Sequence, residues 1–93
     1  MEFNVEVTSK AEADRLEQEH ARQKMIMAVT RIEWRLADPD RHSGQRIEVR
    51  CEGLTQPQVE QIVAIYAKAG WTAAKISMTA AVGTGYVPGV RLI

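Results

Sequence analysis

Arg31-Ile32-Glu33-Trp34-Arg35-Leu36 has a close copy further along the chain, Arg46-Ile47-Glu48-Val49-Arg50-Cys51. Both segments alternate charged and apolar residues, which is the period-two pattern of a strand with one buried face. Antiparallel pairing with Trp34 opposite Val49 matches opposite charges on the outer face, whereas a slip of two residues matches like charges. The repeated pattern therefore predicts two paired strands.

Residues 25–36 also fit a helix. No Gly, Pro or Asn interrupts residues 9–37, and a helix there would place Met25, Val29, Ile32 and Leu36 on one stripe. That helix would be about 42 Å long and would leave Trp34 on the opposite side. We predict the strand, over residues 28–36, because it explains the repeated pattern.

Further elements follow from caps and turn residues. Residues 2–8 alternate like a strand, and Ser9 with Glu12 forms a capping box that starts a helix reaching about Lys24. After a loop at 38–44, the second copy of the pattern predicts a strand at 45–52. Thr55 and Gln58 cap the next helix, which Gly70 ends. Strands follow at 72–79 and at the chain end around Val90 and Leu92, with a glycine-rich loop at 80–89 between them.

This order of elements predicts a single α+β domain over residues 1–93. The first six elements match a ferredoxin-like βαββαβ sandwich, and the last strand is an addition that forms a hairpin with the strand before it. The alternative keeps a long N-terminal helix over 9–37, with a four-stranded sheet and one more helix; that helix would project and favour dimerisation.

Composition limits the class of protein. Twelve basic and twelve acidic residues cancel among 93, which removes the main electrostatic argument for nucleic acid or an anionic membrane as the partner. The chain has one cysteine, residues 1–24 lack the apolar run of a signal peptide, and no run is long enough to span a membrane. We expect a cytoplasmic protein.

No motif predicts catalysis, a metal site or a cofactor. Asp38, Asp40 and His42 are too few ligands for calcium or zinc, and His20 has no predictable catalytic partner. Cys51 points inward from its strand, where a thiol behaves as a small apolar group. The turn at 83–85 opens no helix, so it is not a dinucleotide-binding motif. We predict no catalytic, metal or cofactor residues.

Two groups of residues are candidates for partner binding. Arginines on the outer face of the paired strands form the first group, and exposed side chains of the glycine-rich loop form the second: Arg31, Arg35, Arg46 and Arg50, with Tyr86 and Val87. An RNA-binding sheet needs aromatic side chains among the basic ones, and the strand prediction turns Trp34 inward.

These observations favour a small non-enzymatic protein-binding or regulatory module that forms a homodimer. One alternative is a binder of nucleic acid or of an acidic partner through the arginine-rich sheet face. Another is a small enzyme with a pocket at a dimer interface, using His20.

The helix ending Tyr66-Ala67-Lys68-Ala69-Gly70-Trp71 and the tail Pro88-Gly89-Val90-Arg91-Leu92 resemble those of small phage- or prophage-encoded accessory proteins. The resemblance covers about the last half of the chain. It implies expression in a bacterium and a role in blocking or redirecting a host protein. It identifies no functional residue.

Overall fold

The computed structural model describes residues 6–93. In this range the chain forms two helices and three strands, in the order α1 (Lys10–Leu36), β1 (Ile47–Arg50), α2 (Gln56–Lys68), β2 (Ala73–Thr79) and β3 (Tyr86–Leu92). The α+β class is confirmed. The predicted strand at 2–8 falls mainly on residues outside the described range, and residues 6–9 form neither helix nor strand.

The strand predicted at residues 28–36 is wrong, because these residues belong to α1. Ser9 caps α1 through its side chain, as predicted, but the helix continues for 27 residues. Its C-terminal half buries Ala28 and Ile32 in the core, whereas Trp34 is 80% exposed and not inward. Nothing in the sequence breaks the helix, and one helical stripe already supplies the apolar contacts. The ferredoxin-like arrangement is therefore not confirmed, and the long-helix alternative describes α1 correctly.

The sheet is antiparallel, with β3 between β1 and β2. Val49 pairs with Val90 and not with Trp34, so the predicted register between the two repeated segments is wrong. The predicted hairpin between the last two strands is confirmed: β2 pairs with β3, with Ala73 opposite Leu92. Within the described residues the sheet has three strands, fewer than either sequence-based alternative.

The core lies between one face of the sheet and the two helices. Its largest fully buried side chains come from α1, α2, β3 and the residue that follows β1: Ile32, Val59, Ile62, Val90, Leu92 and Cys51. The Tyr66 hydroxyl on α2 donates a hydrogen bond of 2.8 Å to Glu33 Oε1 on α1. This contact joins the two helices at the border of the core.

The local signals around α2 are confirmed. The Thr55 side chain accepts from the Gln58 backbone while the Gln58 side chain accepts from the Thr55 backbone, which is the reciprocal capping box. Gly70 follows the C-cap with φ of +99°, a conformation that favours glycine. Trp71 then turns back, and its backbone N–H donates to the Tyr66 carbonyl at 3.1 Å.

The N-terminal half of α1 projects from this body. All side chains from residue 10 to residue 20 are exposed, and the molecule measures 69 × 32 × 24 Å. Its radius of gyration is 17.8 Å, whereas a compact chain of this length has about 12 Å. Surface pairs such as Lys10–Asp14 at 2.9 Å and Arg15–Glu19 at 2.8 Å support the projecting half locally.

Candidate partner-binding groove

A groove separates the C-terminal half of α1 from β1. We call it the arginine groove; it has a volume of about 650 Å³ and is lined by Thr30, Arg31, Trp34, Arg35, Glu48, Val49, Arg50, Glu52 and Ala81. Pockets that bind ligands usually have between roughly 300 and 1,000 Å³, so the groove is large enough for several side chains of a partner.

Three of the four predicted arginines meet at this groove, although they do not share a sheet face. Arg31 and Arg35 extend from α1, and Arg50 extends from β1. Arg46 is exposed just before β1 and is not part of the lining. The predicted loop at 80–89 is too long, because β3 begins at Tyr86, so Tyr86 and Val87 lie on a strand. Both lie outside the groove, Tyr86 exposed and Val87 half-buried.

The groove has an excess of positive charge. The Arg91 guanidinium donates two hydrogen bonds to Glu48 Oε2, at 3.0 and 2.8 Å, and these bonds lower the pKa of Glu48 below its ordinary value. Glu52 accepts a hydrogen bond of 3.1 Å from the Ala81 backbone. By contrast, the side chains of Arg31 and Arg35 have no ion pair or hydrogen bond with any residue in 6–93. These two guanidinium groups are free to bind an acidic group.

Arg50 has one partner and remains available for another. Its Nε donates to the Thr79 carbonyl at 2.7 Å, which holds the side chain against the sheet. The terminal nitrogens of its guanidinium can still donate, because a guanidinium has five N–H groups.

One edge of β1 faces the groove. The Cys51 backbone N–H donates to the Pro88 carbonyl at 2.9 Å, on the β3 side. Along a strand, the backbone N–H and C=O groups of successive residues point alternately toward and away from the paired strand. Those of Cys51 point toward β3, so those of Glu48 and Arg50 point away from it. No strand within the described residues pairs with this edge. The groove therefore offers backbone hydrogen-bonding groups as well as charge.

Trp34 lines the groove and is a candidate binding residue that the strand prediction missed. It lies beside Arg31 and Arg35 on α1 with 80% of its surface exposed. The argument that the arginines have no aromatic neighbour is therefore wrong. The signal was present in the sequence: on a helix, Thr30, Arg31, Trp34 and Arg35 share one side, because residues three and four apart are neighbours.

Other residues considered for chemistry lie apart from the groove or are buried. Burial raises the pKa of the Cys51 thiol, while the charge of Arg31 acts in the opposite direction to a smaller extent. His20 is exposed on the projecting half of α1. In the described part of the chain, no three His, Cys, Asp or Glu side chains lie close enough together to hold a metal ion.

None of the helices in residues 6–93 is both long enough and apolar enough to span a membrane. No protein family, curated protein or solved structure matches this chain.

Proposed function

We propose that this chain is a small, non-enzymatic regulatory module that binds another protein at the arginine groove. The observation that carries the proposal is the exposed Trp34 next to Arg31 and Arg35, both of which are free of acidic partners within the described residues. Large exposed aromatic side chains cost solvation energy, and Trp and Arg are the residues that most often dominate the energy of protein interfaces.

The groove favours a partner with acidic side chains around an apolar group. Carboxylates would form charge-assisted hydrogen bonds with Arg31 and Arg35, and the apolar group would pack on the Trp34 ring. The resemblance to phage-encoded accessory proteins extends the proposal: the partner is a bacterial host protein whose activity the module blocks or redirects.

The test is capture of a partner by the tagged full chain from nuclease-treated bacterial lysate. A captured protein counts only if it also binds as a purified protein and binds the double variant Trp34→Ala, Arg31→Glu at least about tenfold more weakly. Lys68→Glu is the control, because it makes the same change of charge on the exposed end of α2. Equal binding of the groove variant and the control would refute the groove as the docking site.

A second candidate, binding of single-stranded nucleic acid, is favoured by one observation. Trp34 stands next to arginines, and an aromatic ring between basic groups can stack on a base while the arginines contact phosphates. The zero net charge of the chain weighs against it. This candidate requires that binding to an oligonucleotide pool weaken steeply with salt and be lost in Trp34→Ala.

A further inference from the structure

We infer that a second copy of this chain fills the arginine groove, with residues 2–8 of each copy added as a strand to the open edge of β1 in the other. The inference rests on the proposed docking role of the groove and identifies one occupant for it. It also makes self-association and partner binding mutually exclusive, because both use the same groove.

The sequence of the segment suits the groove. Glu2-Phe3-Asn4-Val5-Glu6-Val7-Thr8 alternates apolar and polar residues and contains two acidic residues and no basic one. Alternation with Phe and Val is typical of a strand with one buried face. Val7 is 85% exposed in the single chain, so this apolar side chain of the segment is not buried against the rest of the protein.

The two faces of an added strand would meet matching surfaces. Val49 points toward the helices. The apolar side chains of the added segment would lie beside Val49 and extend the core beneath Trp34. Arg50 points to the other face of the sheet, as Glu48 and Arg91 do. The backbone of the segment would pair with Glu48 and Arg50 in the way of strand addition. Its acidic side chains would lie on the same face of the sheet as Arg50, whose Nε is bonded to the Thr79 carbonyl on β2 and whose terminal nitrogens can still donate.

The segment is too short to fill the groove of its own chain. The wall of the groove at residues 30–35 lies 20 to 25 residues along α1 from Lys10, which is about 30 to 38 Å in a helix. Residues 2–8, fully extended from Ser9, reach at most about 25 Å. The occupant must therefore come from a second copy, in an arrangement with the two α1 helices antiparallel.

The charges of α1 favour that arrangement. Residues 10–19 contain four acidic and two basic side chains, whereas residues 22–36 contain four basic and one acidic. Antiparallel pairing about a two-fold axis sets the acidic half of each helix against the basic half of the other. Leu16, Met27 and Trp34 form an exposed apolar stripe on one side of α1, and this stripe would supply the contact between the helices.

Direct pairing of β1 with β1 of a second copy fits less well. It would bring Arg31, Arg35 and Arg50 of one copy close to the same residues of the other, where like charges repel. The wall formed by Trp34 would also stand between the two edges. The acidic segment 2–8 meets neither obstacle.

The first test is the mass of the full chain by size-exclusion chromatography with light scattering. We expect twice the chain mass of 10.4 kDa at tens of micromolar, and a single chain mass after deletion of residues 2–8. Unchanged far-ultraviolet circular dichroism per helical residue would show that the shortened chain keeps its fold. A full chain that stays monomeric, or a dimer that survives the deletion, would overturn the inference.

A charge exchange tests the contact itself. Glu6→Arg and Arg50→Glu should each abolish the dimer, because residues 6 and 50 then carry the same charge and repel each other between the two copies. An equimolar mixture of the two variants should restore the dimer, since each segment then faces a groove of opposite charge. Lys68→Glu serves as the control and should leave the dimer intact. Variants that remain monomeric in the mixture would refute the pairing of Glu6 with Arg50.

Hydrogen exchange separates strand addition from other modes of binding. When a synthetic peptide of residues 1–9 is added to the chain lacking residues 2–8, the Glu48 and Arg50 amides should gain protection, because they point to the open edge. The Val49 amide already faces β3 and should change little. Equal protection of all three amides would contradict strand addition, while the capture experiment with the Trp34 variant would still decide the proposed function separately.

Discussion

Ile32 and Trp34 provide a direct test of the helix at residues 25–36. In the structure Ile32 is 0% exposed and Trp34 is 80% exposed, so truncation of each to alanine should have very different costs. Ile32→Ala removes three buried carbons, worth about 2.4 kcal/mol of transfer energy, and leaves a cavity. The total loss in the free energy of unfolding should be about 3 kcal/mol. Trp34→Ala should change it by less than about 0.5 kcal/mol, since alanine also has the higher helix propensity.

The assay is urea unfolding followed by circular dichroism, at protein concentrations low enough to prevent self-association. A loss of 3 kcal/mol should lower the unfolding midpoint by about 2 M urea in a protein of this size. A strand at 28–36 would bury both side chains, and Trp34→Ala would then cost about 3–5 kcal/mol. Equal destabilisation by the two substitutions would therefore refute the helix and the exposed position of Trp34.

Three further predictions concern stability. Gly89→Ala should destabilise the sheet by about 1–3 kcal/mol in urea unfolding, because an added Cβ would collide with the Met78 thioether and would lie 3.0 Å from the Val49 carbonyl oxygen, a backbone atom that cannot rotate away. Unchanged stability would refute this close approach of the strands at Gly89. Burial and the hydrogen bond to Glu33 raise the pKa of Tyr66 in the folded protein. The protonated hydroxyl therefore contributes fully to the free energy of unfolding below about pH 10, the pKa of tyrosine in the unfolded chain, and this contribution is lost as the pH rises further. Stability should therefore fall above about pH 10 more steeply in the wild type than in Tyr66→Phe, and parallel profiles would contradict this. Thr55→Ala should lower the free energy of global unfolding by about 1 kcal/mol, whereas Ser9→Ala should only increase hydrogen exchange in the projecting half of α1. Equal losses of global stability would show that the projecting half does not unfold independently of the rest of the protein.

The sequence by itself determined the elements that depend on signals within a few residues. The capping box of Thr55 and Gln58 marks the start of α2, and Gly70 marks its end, because each satisfies backbone groups of the adjacent turn. Alternation was sufficient to predict β1, β2 and the inward position of Cys51. The hairpin of β2 and β3 followed from their closeness along the chain.

Tertiary contacts alone decided residues 25–36. Ile32 and Leu36 lie on the apolar side in both the helical and the extended interpretation, so periodicity could not choose between them. Whether residues 25–36 form a helix or a strand depends on which segment pairs with β1. The segment that pairs with β1 is β3, about forty residues further along the chain. Once β3 pairs with β1, residues 25–36 are left to cover the sheet as a helix. The same packing turns Trp34 outward and places Arg31, Arg35 and Arg50 around one groove, which is why the groove could not be recognised before the fold was known.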